Sequence, residues 1–299
     1  MKKLLLLLLA ACALPAHAAL NVFATVPEWA ALAKEIGGDR VEVYQATSGL
    51  QDPHRIAAKP SLIARARSAQ LVVATGAELE IGWLPLVIRD SGNERIRVGQ
   101  PGYFEAAAQV TLLEVPKVLD RSQGDVHAAG NPHVQTDPRN ILRIGEALAE
   151  RMALLDPAEA PAYRAGLQAF ATRWRAAIAR WESAAAPLRG VPVLVQHRAF
   201  PYLMAWLGMK DAGTLEPKPG VEASGTYLAE VLARLSAQPA RMILRPAYQY
   251  DTPSRWIGER AHIPVVTVPF TVGGTPEASD LFSLFDDTIR RLLAGLHTQ

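Results

Sequence analysis

The amino-acid sequence predicts an α/β protein of two lobes, each a parallel-type sheet flanked by helices, joined by one long rigid helix. Three observations carry that expectation. Short apolar runs alternate with amphipathic helical segments through residues 20–90, and the same alternation restarts after residue 190. Between them lies one uninterrupted helical stripe. At 299 residues the chain also exceeds one average domain, so length alone leaves two lobes or one large domain open.

The first half opens with a strand over 20–26, a helix over 27–36 with Pro27 near its start and Gly37-Gly38 behind it, and a strand over 41–47. A helix over 59–68, a β-rich run at 71–75 and a helix over 78–90 complete a βαβα pattern. From 99 to 135 the periodicity fades into a stretch rich in glycine and proline, of the length usually kept for a functional or mobile loop. Order returns at Asp137-Pro138, an N-cap residue with Pro at the first helical position, opening a helix to about residue 155.

The bridging helix follows Pro157 and Pro161 and ends before Pro187. It places Tyr163, Leu167, Phe170, Trp174, Ile178 and Trp181 three or four residues apart, one continuous apolar stripe. Roughly 25 residues at 1.5 Å each make it nearly 40 Å long, enough to brace two lobes. Beyond it come a strand over 191–196, helices over 200–207 and 226–236, a strand over 242–244, a helix near 253–261, a strand over 265–269 and a closing helix over 280–296. The expected division is a leader over 1–18, lobes over 19–158 and 188–299, and the helix over 159–187 between them. The two halves share no sequence repeat.

The leader is expected from Lys2-Lys3, an apolar run from Leu4 to Leu14, Pro15 and the small-residue site Ala16-His17-Ala18. Its apolar run falls short of the roughly 20 residues that span a bilayer. Leu9-Ala10-Ala11-Cys12 also resembles a lipid-attachment site, the alternative to release at Ala18. Cys12 is the one cysteine of the sequence, so cleavage at Ala18 leaves no thiol for a disulfide or for metal.

Hydrophobic residues make up 49% and charged residues 20%, values of a globular chain with a packed core. Against 29 acidic residues stand 31 basic ones, and loss of Lys2 and Lys3 with the leader balances them. Without a basic stripe a nucleic-acid partner is not expected. The six tryptophans fall on amphipathic segments and are expected in the core.

Seven histidines remain the chemistry-bearing residues; His17 leaves with the leader and His297 sits near the end of the chain. His54 lies just after the second strand, His133 just before the Asp137 helix and His197 directly after the strand over 191–196. In parallel sheets, ligands collect beyond the carboxyl ends of the strands, where such loops converge. Neutral imidazole is a good zinc ligand, and three from different loops are a common set. A single loop histidine is equally a surface or capping residue, and spacings of 79 and 64 residues match no local metal motif.

Context decides among these readings. Glu35-Ile36-Gly37-Gly38-Asp39-Arg40-Val41, Gln51-Asp52-Pro53-His54 with Lys59-Pro60-Ser61, Gly130-Asn131-Pro132-His133-Val134 with Asp137-Pro138-Arg139-Asn140, and Gln196-His197-Arg198-Ala199-Phe200 together resemble the metal-binding receptors of zinc and manganese ABC importers. The resemblance covers the whole mature chain. It implies a periplasmic solute-binding protein, a monomer that captures Zn2+ between its lobes and hands it to an ABC permease, with a periplasmic metallochaperone as a further partner. It places His54, His133 and His197 on three metal-ligand positions.

The family's fourth ligand, a carboxylate in the loop after the strand over 265–269, is not where the resemblance puts it, since Val272 stands there. Asp280 is the nearest replacement and is also an N-cap candidate for the last helix. Otherwise water, Asp52 or Glu222 completes the site. His127, six residues before His133, is either an exposed loop residue or an aid to metal capture, and His262 sits at a helix C-terminus. Three imidazoles with at most one carboxylate favour zinc over manganese or ferrous iron. The rival class is a zinc hydrolase with water in the open position, but no His-Glu-x-x-His, Gly-x-Ser-x-Gly or phosphate-loop motif accompanies the histidines, and an enzyme is not expected.

Overall fold

A computed structural model describes residues 18–116 and 127–298, so the expected leader, its Cys12 alternative and part of the glycine-rich stretch, Gly124 included, lie outside the described residues. The first lobe is built from β1 (Leu20–Ala24), α1 (Pro27–Gly37), β2 (Val41–Gln45), α2 (Pro60–Ser68), β3 (Leu71–Ala74), α3 (Leu84–Ser91), β4 (Tyr103–Glu105) and α4 (Pro138–Leu155). The long α5 (Ala160–Ala184) leads to β5 (Pro192–Val195), α6 (Pro201–Leu207), β6 (Lys210–Thr214), α7 (Gly225–Ala237), β7 (Met242–Pro246), α8 (Thr252–Ala261), β8 (Val265–Val268) and α9 (Leu281–His297).

Both sheets are parallel throughout, and both use one strand order: β2-β1-β3-β4 and β6-β5-β7-β8. The symmetry expected from the alternation is therefore present in the topology, as the fold class required. Proline opens many of the helices, among them α1, α2, α4 and α6, where its missing N–H costs nothing and its fixed φ suits the first turn. Asp137 caps α4 as the sequence indicated, its carboxylate accepting from the Arg139 amide at 2.8 Å.

One apolar core runs from β1 through α1, α4 and α5 to α9, so the lobes share buried surface. From the predicted stripe of α5, Tyr163, Phe170, Trp174 and Trp181 are buried, while Leu167 and Ile178 are half-buried at its margin. Gly166 lets α5 lie directly on α1: a Cβ there would meet the Ile36 carbonyl oxygen at 2.1 Å.

Three details differ from expectation. The short strands β4 and β6 were not expected, because neither Tyr-Phe-Glu nor Lys-Asp-Ala-Gly-Thr shows an apolar run; both are edge strands held by backbone pairing. The helix expected over 78–90 begins only at Leu84. Ala77 and Glu78 take positive φ, and Glu80 turns inward to accept from Thr75 N at 2.8 Å and Gly76 N at 3.0 Å, which replaces a first helical turn with a local loop. No helix among the described residues is long and apolar enough to cross a membrane.

Candidate metal centre

The loops after β2, before α4 and after β5 meet between the lobes and bring His54, His133 and His197 together. Their ring centroids lie 5.4–5.7 Å apart, with His54 on His133 at 5.5 Å, His54 on His197 at 5.7 Å and His133 on His197 at 5.4 Å. One ligand atom from each lies within 4.8 Å of the others.

Each ring is held from its Nδ1 side. In Asp52-Pro53-His54 the Asp52 Oδ1 accepts both the His54 amide at 3.0 Å and its Nδ1–H at 2.9 Å. Asn131-Pro132-His133 repeats the device: Asn131 Oδ1 accepts the His133 amide at 3.0 Å and Nδ1–H at 2.8 Å. The Asn131 amide nitrogen donates to Glu114 and to the Arg198 carbonyl, which fixes which end of that side chain is the acceptor. His197 has a more distant partner, Glu216 in the loop after β6, whose Oε2 takes Nδ1–H at 2.7 Å.

With Nδ1 protonated on all three rings, the lone pairs sit on Nε2. Those three Nε2 atoms are buried and have no hydrogen-bond partner among the described residues. Buried acceptors are normally satisfied, and three unpartnered nitrogens from residues brought this close together could hold a cation. Bonds of about 2.0–2.1 Å to one ion would set its nitrogen ligands roughly 3.4 Å apart, within the 4.8 Å that bounds one ligand atom of each residue. Burial, then the nearby His197, His54 and His127, hold the His133 imidazole well below the ordinary histidine range, so it presents a lone pair rather than a proton. Asp52 titrates below the usual aspartate range: burial opposes this, but the bonds and charge it shares with His54 outweigh burial.

Tryptophans expected only as core also anchor the site loops. Trp83 Nε1–H donates to the Pro53 carbonyl at 3.0 Å, one residue before His54, and Trp174 Nε1–H to the Pro138 carbonyl at 2.8 Å, just beyond His133. Sequence reasoning did not identify Asn131 and Glu216 as the groups that orient His133 and His197. The repeated Asp/Asn-Pro-His pattern is a signal that could have found the first of them, whereas nothing local to His197 points to Glu216.

Asp280, expected as a possible fourth ligand, is not brought to this cluster. It is exposed and caps α9, its Oδ1 accepting from the Ser283 amide at 2.7 Å while the Ser283 hydroxyl accepts from the Asp280 amide at 2.9 Å. A carboxylate so engaged at a helix N-terminus is held by the amides and dipole there. Val272 packs half-buried beside α1, and the loop after β8 meets the site through Phe270, at φ 71° and 5.4 Å from the His133 ring. Asp52 spends its carboxylate on Nδ1, and Glu222 is exposed on a cavity of about 650 Å³ that reaches His54 and His197 from one side. His127 lines a second cavity, of about 230 Å³, together with His133 and His197.

Residues 22–295 match the family described as ZnuA, the zinc-uptake complex component A, periplasmic. The chain belongs to this family. It is thereby a solute-binding receptor of the metal ABC importer class. The family member is 20% identical to the manganese ABC transporter substrate-binding lipoprotein PsaA of Streptococcus pneumoniae, over 93% of this chain and 89% of that protein. It is 22% identical to the zinc-binding lipoprotein AdcA of Streptococcus pneumoniae serotype 4, over 77% of this chain and 48% of AdcA. A crystal structure of ZnuA superposes with a TM-score of 0.77 at 21% identity, covering 93% of this chain and 99% of that one, which establishes the two-lobed fold. Relatives carry different metals in their names, so family membership gives the receptor class and the donor set bears on the metal.

Proposed function

We propose that this protein captures one zinc ion per chain in the periplasm, with His54, His133 and His197 as ligands through Nε2, and delivers it to the permease of an ABC importer. The observation that carries the reading is the convergence of three buried, unpartnered Nε2 atoms whose rings are locked in the correct tautomer. The choice of zinc follows from the donors: nitrogen in every position brought together, with the nearest carboxylates, Asp52 and Glu216, turned to the far side of the rings. Manganese prefers oxygen ligands, so an all-nitrogen set favours zinc. The same placement disfavours hydrolysis, because those two carboxylates are occupied as ring orienters and not free to act as a base toward a bound water.

Calorimetric titration of the chelator-stripped mature protein is the test. It should show one zinc site, much weaker manganese binding, and loss of the site in His133→Ala. Absence of zinc binding, or manganese binding as tight as zinc, would refute the assignment.

A further inference from the structure

His54 and His197 each rest on a carboxylate, Asp52 and Glu216, whereas His133 rests on an amide, the Oδ1 of Asn131. A neutral amide is the weaker acceptor for Nδ1–H, since hydrogen bonds to an ionised partner are shorter and roughly twice as strong. His133 is also the most deeply buried of the three, at 1% exposure. The ligand with the least access to water therefore has the weakest direct support.

Behind Asn131, however, stands a carboxylate. Asn131 Nδ2 donates to Glu114 Oε2 at 2.9 Å, so Glu114, Asn131 and His133 form one chain of acceptors and donors that ends on the His133 ring. An anion that accepts from the N–H end of an amide pushes electron density toward its carbonyl end, and such polarisation adds along a chain. The other oxygen, Oε1, accepts from Arg198 Nε at 3.1 Å and Nη2 at 2.7 Å, in the residue that follows His197.

The backbone holds Glu114 in this place at a cost. It takes φ 53°, the left-handed region that a residue with a side chain rarely adopts. Leu113, immediately before it, is pinned on both sides: its amide donates to the Tyr202 hydroxyl at 3.0 Å and its carbonyl accepts from the Asn131 amide at 2.8 Å. A strained residue persists only where its surroundings over-determine it, and such residues gather at functional sites.

We propose that Glu114 is a positioning residue of the metal centre, acting on His133 through the Asn131 amide as Asp52 and Glu216 act directly on His54 and His197. It holds His133 in the Nδ1–H tautomer and raises the donor strength of Nε2. This rests on the receptor reading above and specifies it: each of the three ligands is backed by a carboxylate, two of them in contact and the third by relay. Because the same carboxylate grips Arg198, the support of a ligand from the first lobe is tied to the loop that carries His197 in the second.

The test compares wild type, Glu114→Gln, Arg198→Met and His133→Ala, each stripped of metal and titrated with zinc in competition with a colorimetric chelator. Metal-free melting temperatures are measured alongside, and proton–nitrogen spectra of metal-free protein carrying labelled histidine report each ring's tautomer and the strength of its Nδ1–H bond. Glu114→Gln should still take one zinc, about tenfold more weakly, with a metal-free melting temperature close to that of wild type. Its His133 Nδ1–H proton should move upfield, as the bond to Asn131 weakens, while the His54 and His197 signals stay in place. Arg198→Met breaks the ion pair and leaves the Glu114–Asn131 bond, so it should keep the His133 signal and most of the affinity. Wild-type affinity with an unmoved His133 signal in Glu114→Gln would overturn the proposal and leave the receptor reading intact. Equal losses of affinity in Glu114→Gln and Arg198→Met, with the His133 signal unmoved in both, would also overturn it, reducing Glu114 to a clamp between the lobes. Wild type that binds no zinc, or binding indifferent to His133→Ala, would sink the receptor reading and this inference with it.

Discussion

Glu28 sits in the first turn of α1, fully buried, and accepts a 2.5 Å bond from the hydroxyl of Thr271 in the loop after β8, so it stitches the first lobe to the second. Burial, only partly offset by the Thr271 bond, lifts its carboxyl from the ordinary 4.5 to about 7. Each pH unit of displacement is worth about 1.4 kcal/mol, so the fold favours the protonated form by about 3 kcal/mol. The sign follows from the raised value. Below pH 4.5 the group is neutral folded and unfolded; between 4.5 and about 7 the folded state alone keeps the proton; above 7 the fold carries a buried anion and the contribution is gone. In Glu28→Gln the side chain stays neutral and its Oε1 can still accept from Thr271. Urea unfolding of chelator-treated protein should give similar stabilities for wild type and Glu28→Gln near pH 4.5. At pH 8 the variant should be more stable by up to about 3 kcal/mol. A difference that does not grow with pH, or grows the other way, would refute the reasoning.

Glu216→Gln removes the carboxylate that orients and polarises His197 and should weaken zinc binding about 10–100-fold without lowering metal-free stability, checked by chelator competition and thermal melting. Asp280→Ala deletes the capping box of α9 and should cost about 1 kcal/mol of stability with zinc affinity unchanged; a loss of affinity comparable to that of a histidine ligand would return Asp280 to the ligand set. Zinc at a hundredfold excess over its dissociation constant should add about 2.7 kcal/mol to stability, and an unmoved melting curve would count against native-state binding. Small-angle scattering should give nearly equal radii of gyration with and without zinc, since the lobes share one buried core, and a large change would contradict that shared core.

How much of this was legible in the sequence depends on what each feature is made of. The central strands β1, β3, β5 and β7 are predominantly apolar, interrupted by Asn21 in β1 and Arg245 in β7, because helices cover both faces, and the stripe of α5 is apolar because it lies against α1, α4 and α9. Such features are written locally. Edge strands are not: β6 exposes Lys210 and Asp211, and what makes it a strand is the row of backbone partners offered by β5. The start of α3 was obscured for a related reason, since Glu80 looks like a helix former and is recruited by the amides of residues 75 and 76.

The site divides in the same way. His54 and His133 carry their orienting groups two residues upstream, so the chemistry is contained in a three-residue segment with proline stiffening its middle. His197 has Val195 at that place and borrows Glu216 from across the lobe, a relation fixed only when β6 pairs with β5. The approach of the lobes is equally non-local. Gly49, ahead of His54, lies so close to the backbone of Gly273 and Gly274 that a Cβ would sit 2.4 Å from the Gly273 carbonyl carbon. On the far side of the cage Glu114 pairs with Arg198 at 2.7 Å, and the Tyr202 hydroxyl bridges the Leu113 amide and the Asn131 carbonyl. These contacts surround the three histidines with fixed backbone from both lobes. A wide hinge would have to break the Glu28–Thr271 bond, the Glu114–Arg198 pair and the common core together. The lobes are thus held as one frame around the three histidines.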